Sequence, residues 1–76
     1  MNSPSPSKAE LLADIEGYSS PHALMEVYIT DSVCPGICTN ENCDYTTEVE
    51  PDSSTGWCEE CETQSVTSIM VLEGVI

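Results

Sequence analysis

Two close pairs of cysteines constrain this chain more than any other feature. They are Cys38-x4-Cys43 and Cys58-x2-Cys61, each in turn-forming sequence, with fourteen residues between the pairs. Two to four residues between cysteines let one tight turn bring both sulfurs within ~2.3 Å of a single metal ion. A strand, loop and strand between the pairs would fold the second turn back against the first. Spacing therefore predicts one tetrahedral site of four sulfurs. A fifth cysteine leaves the set open, because Cys34-Pro35-Gly36-Ile37-Cys38 is also a turn of acceptable ligand spacing. Cys34 is an alternative ligand in place of Cys38 or Cys43; its other reading is a small buried hydrophobe.

The compartment bears on what these thiols do. The stretch MNSPSPSKAELLADIEG carries no basic n-region or apolar run of a signal peptide, and the longest apolar run is Ile69-Met70-Val71-Leu72. A membrane span needs ~20 such residues. A cytoplasmic protein is the expectation, and in that reducing setting clustered cysteines read as metal ligands rather than disulfides. Size adds a reason for a metal. In a chain of 76 residues, apolar burial and chain entropy nearly cancel. A structural zinc site adds roughly 10–16 kcal/mol of apparent binding energy, much of it folding energy.

Charge limits the partners. Fourteen acidic residues stand against Lys8 alone, with no arginine, for a formal charge of −13. Affinity for nucleic-acid phosphates comes chiefly from Lys and Arg, so direct binding of DNA or RNA is excluded, as is an anionic membrane. The acidity reads in two ways: it keeps a small monomeric chain soluble, or it forms a face for a protein partner with a basic surface. Six carboxylates, Glu48, Glu50, Asp52, Glu59, Glu60 and Glu62, come from the hairpin and the second cysteine turn and are expected to form one partner-binding rim. With one His, one Lys and no Arg, acid–base and phosphate chemistry lacks its parts, and no catalytic residue is assigned.

Along the chain, residues 1–6 read as a disordered tail. Residues 7–32 read as a helical hairpin and 33–76 as the cysteine-bearing part of one compact domain. Ser7-Lys8-Ala9-Glu10 is a capping box, Leu11, Leu12 and Ile15 follow at helical spacing, and Gly17 is a stop, giving a helix over 8–16. Ser20-Pro21 opens a second helix over 21–30 with Leu24, Met25, Tyr28 and Ile29 as its stripe. Leu11, Leu12, Ile15, Leu24, Tyr28 and Ile29 are the expected docking face. Pro35-Gly36 reads as a turn, 45–50 alternates as a strand, 51–56 is a loop, and 65–72 is a β-branched strand. Trp57 is expected to pack as an apolar lid over the site. His22, in the first turn of a helix, is expected at the surface.

The runs Ile-Cys-Thr-Asn-Glu-Asn-Cys-Asp-Tyr and Gly-Trp-Cys-Glu-Glu-Cys-Glu resemble the two knuckles of a zinc ribbon. Within that group they are most similar to short zinc-ribbon proteins of bacteria and their phages. The resemblance covers residues 37–72. By position it implies Cys38, Cys43, Cys58 and Cys61 as structural ligands of one Zn²⁺. Joined to the helices read from capping and periodicity, the expected fold is small α+β, with the N-terminal helical hairpin packed on a two- to three-stranded antiparallel sheet bearing two knuckles. The chain departs from the pattern in its four-residue first knuckle and in lacking glycine after Cys43 and Cys61.

The reading that follows is a non-enzymatic acidic adaptor or regulator. Two alternatives belong to other classes. One is a redox protein, holding iron as rubredoxins do or using Cys58-x2-Cys61 as a dithiol; the flanking Glu59, Glu60 and Glu62 oppose the thiolate that a dithiol needs. The other is an acidic mimic of nucleic acid that occupies a basic groove of a DNA- or RNA-processing protein.

Overall fold

A computed structural model describes residues 7–76, and the expected tail 1–6 lies outside the described residues. Three helices and four strands follow in the order α1 (Lys8–Glu16), α2 (Pro21–Tyr28), β1 (Cys34–Cys38), β2 (Thr46–Val49), β3 (Gly56–Cys58), β4 (Thr63–Ser68) and α3 (Ile69–Leu72). The α+β class read from sequence is therefore observed.

Local chemistry explains the helix ends. Ser7 Oγ accepts from the Glu10 amide at 3.1 Å, and the Ser7 amide donates to Glu10 Oε1 at 3.0 Å, closing the capping box. Gly17 ends α1 in the left-handed region at φ 86°, and the Tyr18 amide donates to Ala13 O at 2.8 Å, which satisfies carbonyls of the last turn. Ser20 Oγ caps α2 by accepting from Ala23 N at 3.1 Å, with Pro21 at the first helical position.

The sheet is antiparallel with strand order β2-β1-β4-β3. Its four strands exceed the two or three expected, because Cys34–Cys38 is a buried strand and not a turn. Proline is poorly suited to a central strand. Here β1 meets β2 along Cys34–Ile37, while its pairing with β4 starts only at Gly36, so Pro35 has a strand on one side alone. Gly36 serves close approach rather than a turn. A Cβ there would lie 2.8 Å from Val49 Cγ2 and 2.9 Å from Val66 Cγ1. Gly56 on β3 is pressed by the same two valines, with Val49 Cγ1 at 2.9 Å. Val49 thus reaches from one sheet edge to glycines on β1 and on the other edge, and the sheet curls around it.

The expected strand over 65–72 is cut short at Ser68. Its hydroxyl accepts from Val71 N at 3.2 Å as the N-cap of α3 and donates to Pro51 O. A buried serine with a helical job ends the β-branched run, and Ile69 and Met70 turn into the core.

Two clusters of buried side chains result. One unites the three helices with the sheet through Ala9, Leu12, Ala13, Leu24, Met25, Cys34, Ile37, Ile69 and Met70. Of the expected docking face, Leu12 and Leu24 are fully buried, and Leu11 and Tyr28 pack at the margin. Ile15 and Ile29 do not take part, being 43% and 59% exposed. Ile29 lies beyond the last turn of α2, which ends two residues sooner than expected, and Met25 is the buried neighbour of Leu24. The second cluster is smaller: Cys38, Cys58 and Val66, flanked by Cys43, Tyr45, Val49 and Cys61.

Candidate metal centre

Each cysteine pair sits where one strand ends and the next begins. Cys38 closes β1, and its amide donates to Tyr45 O at 2.9 Å, so the chain returns along β2. Between them the Cys43 amide donates to Asn40 O at 3.2 Å, forming the first knuckle. Lys8 binds this knuckle from α1, its ammonium donating to Asn40 O at 2.6 Å and also to Cys43 O. The only Lys or Arg side chain of the protein is therefore committed to carbonyls of the cysteine turn. The second knuckle follows Cys58 at the end of β3. The Cys61 amide donates to Cys58 Sγ at 3.3 Å, and the Glu62 amide to Cys58 O at 2.7 Å, before β4 begins at Thr63. Glu62 makes that exit at φ 57°, the place where a glycine is missing.

These turns bring Cys38, Cys43, Cys58 and Cys61 together, with all four sulfurs within 4.8 Å of one another. Cys43 and Cys58 sulfurs are 3.6 Å apart, and those of Cys38 and Cys61 are 3.9 Å apart. A tetrahedron of sulfurs at ~2.3 Å from zinc has edges of ~3.8 Å. The donor set and its spacing fit a metal ion. Cys38 and Cys58 are buried, while Cys43 and Cys61 are partly exposed.

The sulfurs differ in acidity. Burial pushes the Cys38 thiol up, but hydrogen bonds from Ser65 Oγ, the Asn40 amide and the Cys43 and Cys58 thiols outweigh it and bring Cys38 down to about 6. For Cys43 the Tyr45 amide pulls downward, yet burial together with the sulfurs of Cys61, Cys58 and Cys38 drives it up to about 12. Cys58 is also raised, chiefly by burial. The metal-free site thus has one ready thiolate and at least two thiols that hold their protons.

The remaining expected residues lie elsewhere. Cys34 is fully buried in the helix-facing cluster at the opposite end of β1, ~13 Å from Cys38 at ~3.3 Å per strand residue, outside the four-cysteine group. Its role is that of the small hydrophobe. Trp57 is no lid, being 52% exposed. Successive strand side chains alternate faces, so with Cys58 buried its neighbour Trp57 points outward. Val66, Tyr45 and Val49 pack around the sulfurs instead. His22 is at the surface beside Glu26, at 3.3 Å.

The six carboxylates are all exposed, but the antiparallel topology does not gather them into one rim. Glu59, Glu60 and Glu62 surround the second knuckle. Glu50 and Asp52 lie in the β2–β3 connection, at the other end of the sheet. Glu48 lines a cleft with Glu16, Tyr28, Pro35, Thr46 and Thr47. There burial, and then the neighbouring Tyr18, Glu16, Glu48 and Asp31, push the Tyr28 phenol up. The β2 register pairs Glu48 with Pro35, which holds it by the helix ends rather than the knuckles.

Three contributors went unrecognised in sequence. Lys8 was signalled only by being the sole Lys or Arg. Glu62 was signalled by the missing glycine. Ser65, whose Oγ lies 3.0 Å from Cys38 Sγ, had no signal beyond being polar in a β-branched run.

No protein family, curated protein or solved structure gives a match to this chain. The likeness to zinc ribbons stands on the four-cysteine geometry, and these comparisons give no tie to bacterial or phage proteins.

Proposed function

We propose that Cys38, Cys43, Cys58 and Cys61 hold one Zn²⁺ as a structural ion, and that the protein is a non-enzymatic interaction module of zinc-ribbon type. The observation that carries this reading is the set of four sulfurs at tetrahedral spacing on two opposed turns. Four protein ligands complete a zinc coordination sphere and leave no position for substrate or water, which suits structure rather than catalysis. The thiolates belong in a reducing cytoplasm.

A basic protein surface is the partner chemistry that fits. The chain carries −13, and Lys8 is occupied internally. Trp57 stands exposed beside the second knuckle, flanked in sequence by Glu59, Glu60 and Glu62. Exposed tryptophans are over-represented among the residues that carry binding energy at interfaces, and neighbouring carboxylates would steer a basic partner toward this one. The split of the six carboxylates narrows the proposed contact to this end.

Elemental analysis of purified protein tests the metal: one zinc per chain is expected, and none, two, or a red iron-loaded protein would overturn the assignment. Metal-loaded protein should capture a basic partner whose association slows with salt. Neutralising Glu59, Glu60 and Glu62 to Gln should slow it further while leaving zinc content intact; unchanged association would assign the charge to solubility alone.

A further inference from the structure

We infer that Ser65 is a positioning residue for the metal centre, the one side-chain hydroxyl among the described residues that holds Cys38 as a thiolate ligand. This rests on the four-cysteine reading above and deepens it. Ser65 Oγ lies 3.0 Å from Cys38 Sγ, 2.9 Å from Thr63 Oγ1 and 3.4 Å from Asn40 Nδ2, which is also 3.4 Å from Thr63 Oγ1.

With Cys38 bound to metal as a thiolate, which can only accept, counting protons gives the network a direction. A serine hydroxyl has one hydrogen to donate and two lone pairs to accept, and an amide nitrogen can only donate. Asn40 Nδ2 therefore gives one hydrogen to Ser65 and one to Thr63. If Thr63 gives its hydrogen to Ser65, both Ser65 lone pairs are filled and its own hydrogen is left for Cys38 Sγ. Every group is then satisfied with Cys38 as a pure acceptor, a thiolate. If Cys38 were instead a thiol donating to Ser65, three donors would compete for two lone pairs, or the Thr63 hydroxyl would have to turn away.

The network is anchored on both sides. Asn40 belongs to the first knuckle, where its carbonyl accepts from Lys8 Nζ and the Cys43 amide. Thr63 and Ser65 lie on β4, beyond the second knuckle. The Ser65 carbonyl accepts from the Thr39 amide at 2.9 Å and from Thr39 Oγ1 at 3.0 Å. These bonds link the two turns without using a sulfur, so with metal bound they restrain where the Cys38 sulfur stands. They also offset charge: four thiolates on a divalent ion leave two net negative charges, and the hydroxyl dipole is aimed at one of them. Outer-shell partners of metal ligands commonly govern affinity by 10–100-fold when removed.

The test compares wild type, Ser65→Ala, Ser65→Thr and Thr63→Ala. Zinc affinity is read by competition with a chromophoric chelator, and Co²⁺ loading is followed by absorbance. Ser65→Ala should weaken zinc by ~10-fold or more. It should also move the sulfur-to-cobalt charge-transfer band to lower energy, because a thiolate relieved of a hydrogen bond gives up its electron more readily. The d–d bands should keep their tetrahedral form. Ser65→Thr, which retains a hydroxyl, should recover most of the affinity and the band position. Thr63→Ala, at an exposed position, should shift both in the same direction by less. A purely structural role would lower stability without moving the charge-transfer band. Wild type that takes up neither zinc nor cobalt overturns the metal reading, and this inference with it. Wild type that binds both, with Ser65→Ala matching it in affinity and spectrum, overturns this inference alone. Should Ser65→Ala fail to fold, Thr63→Ala decides: an unmoved band and affinity there overturn it.

Discussion

The helix-facing half and the knuckle half of this small protein are held by different forces. On the helix side, nine buried side chains from three helices and β1 form a continuous apolar cluster. At the knuckles, Val66 is the only buried hydrocarbon side chain, and the other buried members are the sulfurs of Cys38 and Cys58. Apolar burial stabilises by ~25 cal/mol per Å² and needs area, which the knuckle end lacks. Coordination needs only four well-placed atoms. A chain of this size can thus afford one conventional core, and the other end has in its place four cysteines positioned to hold a metal ion.

The largest effect should come from removing that metal. Structural zinc sites are worth roughly 10–16 kcal/mol. Chelation is expected to open residues 38–46 and 58–65, seen as lost hydrogen-exchange protection at the Cys38, Thr39 and Glu62 amides. Amides of α1 and α2 should stay protected. Helical circular dichroism that collapses at the same chelator concentration would show one cooperative unit and break the comparison.

Next in size is a core truncation on the other side. Leu24→Ala removes a fully buried side chain and should cost about 2–5 kcal/mol in the zinc-loaded protein. Zinc affinity should change much less than melting temperature. Equal losses in both would mean that the halves are coupled through β1.

Protons give a third measure. Cys43 at about 12 and Cys58, also raised, are thiols near neutral pH in the metal-free fold, and zinc must displace their protons. Groups whose folded pKa is raised stabilise the metal-free fold below their unfolded value and lose that contribution as pH rises. Metal binding runs the opposite way and strengthens with pH. Displacing at least two protons makes affinity fall by at least about 100-fold per unit drop in pH near 7, or about 2.7 kcal/mol. Below about 6 the Cys38 thiolate also takes a proton, so the slope should steepen there. Calorimetry in buffers of different ionisation heat counts the protons; a release below two would contradict the assignment.

Lys8 is a polar bridge between the halves. Its hydrogen bonds to Asn40 O and Cys43 O are charge-assisted, a class worth about 1.5–3 kcal/mol when partly buried. Lys8→Met keeps the alkyl stem and should lower stability by about 1–2 kcal/mol, with exchange quickening first at residues 40–43. An unchanged melting temperature would leave the bridge without energetic weight.

How far the sequence carried depended on whether a residue's task was local. Capping at Ser7 and Ser20, the stop at Gly17 and the cysteine turns are decided within four or five residues, and they were legible. Pro35-Gly36 was misread because its preference for a turn is overridden by Val49 and Val66, which arrive from distant strands and need the space a glycine leaves. Ser68 hid a helix start inside a β-branched run. The six carboxylates come from the hairpin and the second cysteine turn, but the antiparallel sheet puts the β2–β3 connection and that turn at opposite ends. Trp57 was recoverable: alternation around a buried Cys58 already turns it outward.

The smallest effect concerns backbone strain, and it divides the halves once more. Each has a residue in the left-handed region. The helix half uses glycines there, Gly17 at φ 86° and Gly74 at φ 76°, for which the conformation carries no steric penalty, whereas the knuckle half uses Glu62 at φ 57°. That conformation costs an ordinary residue roughly 1–2 kcal/mol. Glycine would remove the strain and add back about 0.5–1 kcal/mol of chain entropy. Glu62→Gly should therefore raise the stability of the zinc-loaded protein by about 0.5–1 kcal/mol, read as a higher chelator or denaturant midpoint. Glu62 is also an exposed carboxylate next to a cluster of thiolates, so a gain could come from charge instead. Glu62→Ala separates the two, since it removes the charge and keeps the Cβ. A gain with glycine alone assigns the cost to the backbone. An equal gain with alanine would show that the knuckle end is burdened by its own negative charge, and that its turn geometry is as relaxed as that of the helices.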